Sequence, residues 1–151
     1  MTILRELDAV PNAKGETMLI TEYTSYHEDE IFALYSSVGW TAYTSDMGTL
    51  KQGFKKSLLV LAAYEGGKLL GIIRVVGDGC TIVYIQDVLV YPEHQRRGVG
   101  SALLQAVLDH FQEVRQIVLS TDQSDDTVAF YESMGFQKLE KLGCCGFMKL
   151  R

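Results

Sequence analysis

The chain has 151 residues, of which 47% are hydrophobic and 22% charged, the proportions of an ordinary soluble globular domain large enough for one core. A net charge of −5 argues against nucleic acid as the main partner, and no apolar run approaches the roughly 18 residues needed to cross a membrane. Three cysteines, two of them adjacent (Cys144 and Cys145), show no metal-ligand spacing with the three histidines. They read as reduced thiols. With no basic-then-apolar leader pattern at the start, the expectation is a cytoplasmic protein without a metal.

Residues 1–17 lack periodicity and contain Pro11, Asn12, Lys14 and Gly15, so they read as a loosely structured extension ahead of a single domain, 18–151. Met18 to Tyr23 reads as a strand. Ser25 and Glu28 fit a capping box for a helix with Ile31, Leu34, Tyr35 and Val38 on one face, ended by Gly39. Trp40, Tyr43 and Thr44 fall in the connection, and Asp46 is the N-cap of a second helix reaching Lys56. Leu58 to Tyr64 and Leu69 to Val76 form a hairpin around Glu65-Gly66-Gly67-Lys68. A further turn at Gly77-Asp78-Gly79 leads to a long strand, Cys80 to Val90. A helix to Phe111, a strand from Arg115 to Ser120 and a short helix from Thr127 to Met134 follow. Phe136 to Lys141 and Cys145 to Leu150 read as two closing antiparallel strands, offered as the edge of a homodimer. The order is β–α–α–β–β–β–α–β–α–β–β, a mixed α/β (α+β) pattern.

The most informative stretch runs from Asp87 to Leu104. Val88, Leu89 and Val90 are an apolar run suited to a buried strand, and Pro92 ends it. Gln95, Arg96, Arg97, Gly98, Val99 and Gly100 then lead into a helix beginning near Ser101. A helix start offers unpaired N–H groups and the positive end of a dipole, glycines let backbone approach a ligand closely, and arginines add permanent charge. Together these define an anion site for a phosphate or pyrophosphate. A Walker loop is excluded by the missing Gly-Lys-Ser/Thr. A dinucleotide fingerprint is excluded by Leu103 in place of its third glycine.

The string Gln95-Arg96-Arg97-Gly98-Val99-Gly100 resembles the Gln/Arg-x-x-Gly-x-Gly/Ala signature of the GNAT superfamily of N-acyltransferases, and Ala129 to Phe136 resembles that family's Tyr-x-x-x-Gly-Phe segment, with Tyr131 and Gly135 in place. The resemblance covers nearly all of the chain from Met18 onward. It implies a splayed, mixed but mostly antiparallel central sheet flanked by helices, with acetyl-coenzyme A as cosubstrate. It also implies that Gln95 to Ser101 hold the pyrophosphate, that a β-bulge frees backbone N–H groups around Val88, Leu89 and Val90 for the pantetheine arm and thioester oxygen, and that Tyr131 protonates the departing sulfur. A thiol near pKa 8.5 and a phenol near 10 make such proton sharing feasible.

Attack by an amine also calls for a route by which it loses a proton. Asp87, just before the thioester position, and Asp122, at the end of the neighbouring strand, are candidate bases. Tyr84 and Glu22 stand behind them, and each aspartate has a plainer reading, Asp87 as an edge carboxylate paired to a surface cation and Asp122 as a turn or cap acid. The segment Val38-Gly39-Trp40, together with Thr121-Asp122 and Phe130-Tyr131, is similar to plastid-type serotonin N-acetyltransferases and their bacterial relatives. That likeness implies that Trp40 and Tyr43 border the acceptor pocket and stack on an aromatic amine. The expected function is acetyl transfer to the primary amine of a small molecule. The alternatives are a catalytically weak acyl-coenzyme A-binding module and a protein N-terminal or lysine acetyltransferase.

Overall fold

The computed structural model describes residues 7–12 and 14–151. The chain divides into two compact units, residues 1–118 and 119–151. The first carries a sheet in the order β1 (Leu7–Pro11), β2 (Thr17–Glu22), β3 (Leu59–Glu65), β4 (Lys68–Gly77), β5 (Ile82–Val90) and β6 (Gln116–Leu119). Every pairing from β1 to β5 is antiparallel.

β1 corrects the expectation of a loosely structured extension. Leu7–Pro11 pairs with β2, and the turn between them is built on Asn12, whose Oδ1 accepts the N–H groups of Lys14 (2.8 Å) and Glu16 (3.0 Å). A side chain that mimics a backbone turn needs no hydrophobic period to announce it. Pro11 is tolerated because β1 is an edge strand.

Three helices accompany the central strands: α1 (Glu28–Ser37), α3 (Met47–Lys55), with the single-turn α2 (Thr41–Thr44) between them, and α4 (Val99–His110). Ile31, Leu34 and Tyr35 of α1 and Leu50 and Phe54 of α3 share one core with Val60, Ala62, Ile72 and Leu89 of the sheet. α4 packs on β2 to β5, burying Val99, Leu103, Leu104 and Val107. Helices on β3 from both cores explain its uninterrupted buried run Leu59 to Ala63. The expected N-cap Asp46 accepts the Thr49 N–H at 3.0 Å. The expected capping box at Ser25 does not form. The helix starts after His27, whose N–H is taken by the Tyr23 hydroxyl, itself donating to Glu30 at 2.9 Å. A phenol four residues before the N-cap stands where the sequence places the Ser25 hydroxyl.

Two irregularities shape the central strands. Between Ala63/Gly71 and Tyr64/Leu69 the register slips by one residue in β4, and between Arg74/Asp87 and Val75/Ile85 it slips by one in β5, leaving Gln86 unmatched. The sequence places the bulge around Leu89 and Val90; the structure moves it to Gln86. Leu89 and Val90 instead pair regularly with Ile72 and Gly71. Gly71 is needed there: a Cβ on it would collide with the Leu89 carbonyl oxygen and press on Val90 Cα at 3.1 Å. Gly71→Ala is therefore expected to cost about 1–3 kcal/mol of stability by forcing the strands apart, read as a lowered denaturant midpoint with unchanged slope.

In the second unit, α5 (Asp125–Ser133) is capped by Ser124 and followed by Gly135 at φ 91°, the left-handed stop that the sequence signals. The two closing strands are not formed. Leu139–Leu142 is a 3-10 turn ended by Gly143, and residues 143–151 carry no regular element. Alternating apolar residues make a strand only where a ladder partner exists; here Phe147 is 95% and Leu150 86% exposed.

Candidate active site

The anion loop follows β5 directly. Tyr91 precedes a 3-10 turn at Pro92–His94, which carries the chain off the sheet. Gln95 turns back, its Nε2 donating to the Val90 carbonyl at 3.1 Å. Arg96 then takes φ 62° and Gly98 φ 84°, both left-handed, before α4 begins at Val99. Alternating hand in successive residues points N–H groups toward one side, the geometry of an anion nest, and the first-turn amides of Val99, Gly100 and Ser101 extend it. Arg96 is the one non-glycine with positive φ among the described residues, and holding a side chain in that region costs of order 1–3 kcal/mol. The loop therefore has the form of an anion-binding site.

Arg97 differs from the expectation. Its Nη2 lies 3.1 Å from Glu16 and 3.8 Å from Glu65, and Nη1 lies 3.0 Å from His94 Nδ1. The buried Asn12 donates to both acids. Arg97 thus secures the loop to the β1–β2 and β3–β4 turns. The motif cannot reveal this, because Glu16 and Glu65 are 81 and 32 positions away along the chain.

Val88 is half-buried, Leu89 belongs to the core at 1% exposure, and Val90 is half-buried. The Leu89 side chain is thus closed to a ligand.

Asp87 is enclosed by donors from β4, α1 and α2. It is 1% exposed and accepts Arg74 Nε at 2.7 Å, Tyr35 Oη at 2.7 Å and Tyr43 Oη at 2.9 Å. Three donors, one a guanidinium at ion-pair distance, fill most of the lone-pair sites of this carboxylate and hold both of its oxygens in place. Burial and then the Asp87 charge push the Tyr35 phenol far above its usual range. Burial chiefly raises the Tyr43 phenol as well. Arg74, despite burial, is held further in its charged form by Asp87. The sequence places Tyr35 only on the inner face of its helix and assigns Arg74 no role. The available signal was a lone arginine inside the buried run Leu69 to Val75, which requires a partner.

Around this ion pair stands an aromatic cluster. Tyr35 meets Trp40, Tyr43 and Phe54 edge-on at 5.2–6.1 Å, and Trp40 lies tilted by 33° beside Tyr43 at 6.0 Å. Trp40 is 36% exposed. The residues read as an acceptor border are thus adjacent, and fixed to β5 at its bulge.

Within the second unit, Tyr131 sits on α5 with Phe130 and Phe136 edge-on at 5.0 and 5.8 Å. Burial, and secondarily the Asp122 charge, raise its phenol above the ordinary value. Asp122 is exposed and accepts the Ser124 N–H at 2.9 Å, with Thr127 Oγ1 at 3.4 Å. Its contacts with Ser124 hold the carboxyl below its usual range. These contacts are those of a turn acid.

In the first unit, a strand running through an anion nest into a helix start is an arrangement that can hold a phosphate group; in the second, a glycine-stopped helix carries the half-buried Tyr131 phenol. The model of the acetyltransferase (GNAT) family matches residues 19–136, so the chain belongs to that family and is a GNAT acetyltransferase domain. Its fold is that of a GNAT-family acetyltransferase structure from Streptococcus pneumoniae, 35% identical over 89% of this chain and 98% of that one, with a TM-score of 0.81. An uncharacterized N-acetyltransferase, ycf52, of Pyropia yezoensis is 25% identical over 72% of this chain; the chain spans 64% of that relative's length. AAC(6')-Iy, solved in complex with the bisubstrate analog CoA-S-monomethyl-acetylneamine, shares the fold at 18% identity and a TM-score of 0.67, over 89% of this chain and 98% of that one.

Proposed function

We propose that this chain transfers an acetyl group from acetyl-coenzyme A directly to the primary amine of a small molecule. The observation that carries the reading is the left-handed pair Arg96 and Gly98 opening α4, a backbone anion cradle on the family's signature. Acetyl-coenzyme A supplies the activated thioester. Val99, Gly100 and Ser101 would donate N–H groups to its pyrophosphate, with Gln95 holding the loop against Val90. Tyr131 is suited to protonating the departing sulfur: its raised pKa keeps Oη protonated through neutral pH, so the proton is present when needed. Trp40 and Tyr43 favour an acceptor with a flat or apolar body, consistent with an arylalkylamine.

The test is thiol release from acetyl-coenzyme A against a panel of tryptamine, serotonin, spermidine, free amino acids and peptide N-termini. Turnover concentrated in the small amines is expected. Turnover of peptides alone would point to the protein-acetylating alternative, and cofactor binding without any turnover to the binding-module alternative. Tyr131→Phe is expected to lower kcat by about 10²-fold, the low end of general-acid contributions, with acetyl-coenzyme A affinity by calorimetry unchanged. An unaltered kcat would remove Tyr131 from the acid role. Because the phenol is raised, loss of activity from its ionisation is expected only above about pH 10.

A further inference from the structure

We infer that Gln86 holds the nitrogen of the acceptor amine, with Tyr43 fixing the Gln86 carboxamide and the Asp87–Arg74–Tyr35 assembly fixing Tyr43. This rests on the acceptor reading of Trp40 and Tyr43 given above. Gln86 is the unmatched residue of the β5 bulge and stands exposed between Ile85 (3%) and Asp87 (1%). Bulges of this kind re-aim one side chain out of a ladder.

The orientation of that side chain follows from counting protons. The single Tyr43 hydroxyl proton goes to Asp87 Oδ1 at 2.9 Å, so the oxygen can only accept from its other neighbour. Gln86 Nε2 supplies that donor at 2.9 Å. Asp87 cannot turn away, because its other oxygen is held at 2.7 Å by both Arg74 and Tyr35. The amide end of Gln86 is therefore pinned toward Tyr43, and Oε1 is left as the acceptor.

An amine must present N–H to the protein and its lone pair to the thioester. A neutral carboxamide oxygen accepts the N–H without stabilising the ammonium form, whereas a carboxylate at this place would favour the protonated, unreactive amine. Trp40, beside Tyr43, forms a wall for the carbon skeleton. The ligand class is a primary amine on a flat or apolar body. Gln86 makes the contact; Tyr43 and Asp87 act through it as positioning residues.

The experiment measures steady-state kinetics of the full chain with tryptamine, or the panel amine turned over fastest, for Gln86→Ala, Tyr43→Phe, their double variant and Trp40→Ala, with acetyl-coenzyme A affinity by calorimetry. Gln86→Ala is expected to raise the amine KM about tenfold, the size of one lost hydrogen bond, without changing cofactor affinity. Tyr43→Phe should do the same, and the double variant should be no worse than Gln86→Ala alone, since Tyr43 acts through Gln86. Additive effects in the double variant would overturn the positioning role. An unchanged amine KM in Gln86→Ala with a raised one in Trp40→Ala would overturn the Gln86 assignment while leaving the acceptor face standing. Unchanged values in all variants would overturn the acceptor face itself, and no turnover of any amine would overturn the proposed activity.

Discussion

Replacing Gly100 with tryptophan is expected to weaken acetyl-coenzyme A binding by at least about 100-fold, roughly 2.7 kcal/mol. Gly100 is the second residue of α4, in the turn whose N–H groups have no partner inside the helix. An indole beginning at its Cβ would stand where a pyrophosphate must approach the backbone, and no rotamer removes the Cβ itself. The fold should not suffer: glycine inside a helix is worth about 1 kcal/mol less than alanine, so a side chain there is neutral to favourable for α4. The discriminating pair of measurements is calorimetric affinity for acetyl-coenzyme A and the melting temperature. Lost affinity with an intact melt supports the cradle; unchanged affinity would remove the pyrophosphate from this loop.

Asp87→Ala is expected to act on stability before it acts on rate. It leaves Arg74 charged at 6% exposure and the Tyr35 hydroxyl without its acceptor. Breaking a buried pair by removing one partner costs about 3–5 kcal/mol, a large share of the roughly 5–15 kcal/mol that holds a domain together. For a chain of this size that is a melting temperature lower by about 6–20 °C, read by scanning calorimetry at pH 7. A general base would behave in the opposite way, losing rate with an unchanged melt. Replacing the assembly together (Arg74→Met, Asp87→Leu and Tyr35→Phe) should recover much of the loss, because no buried charge is then left alone.

Asp87 illustrates how far the sequence could be read. Its place before the thioester position was legible from the Val88 to Val90 run, but its role was not. Asp87 is 13 residues from Arg74, 44 from Tyr43 and 52 from Tyr35, and only the pairing of β4 with β5 and the packing of α1 and α2 bring them together. Gln86 was passed over for the same reason. A bulge depends on how two strands register, and neither strand alone encodes the slip. Arg97 was legible as a charge but not as a tie to Glu16 and Glu65.

What the sequence by itself determined is whatever depends on residues close along the chain. The buried strand ending at Val90, the left-handed glycines at Gly98 and Gly135, the Asp46 cap and the signature from Gln95 to Gly100 all rest on local backbone preference and hydrophobic period, which act without a tertiary partner. The family and the anion loop followed from these. The tertiary structure alone decided which distant groups meet: the pairing of the β1 edge strand, the bulge at Gln86, and the assembly that encloses Asp87 with Arg74, Tyr35 and Tyr43. Burying charge and unpaired amides is costly enough that such groups take the partner the fold brings them, however distant in sequence.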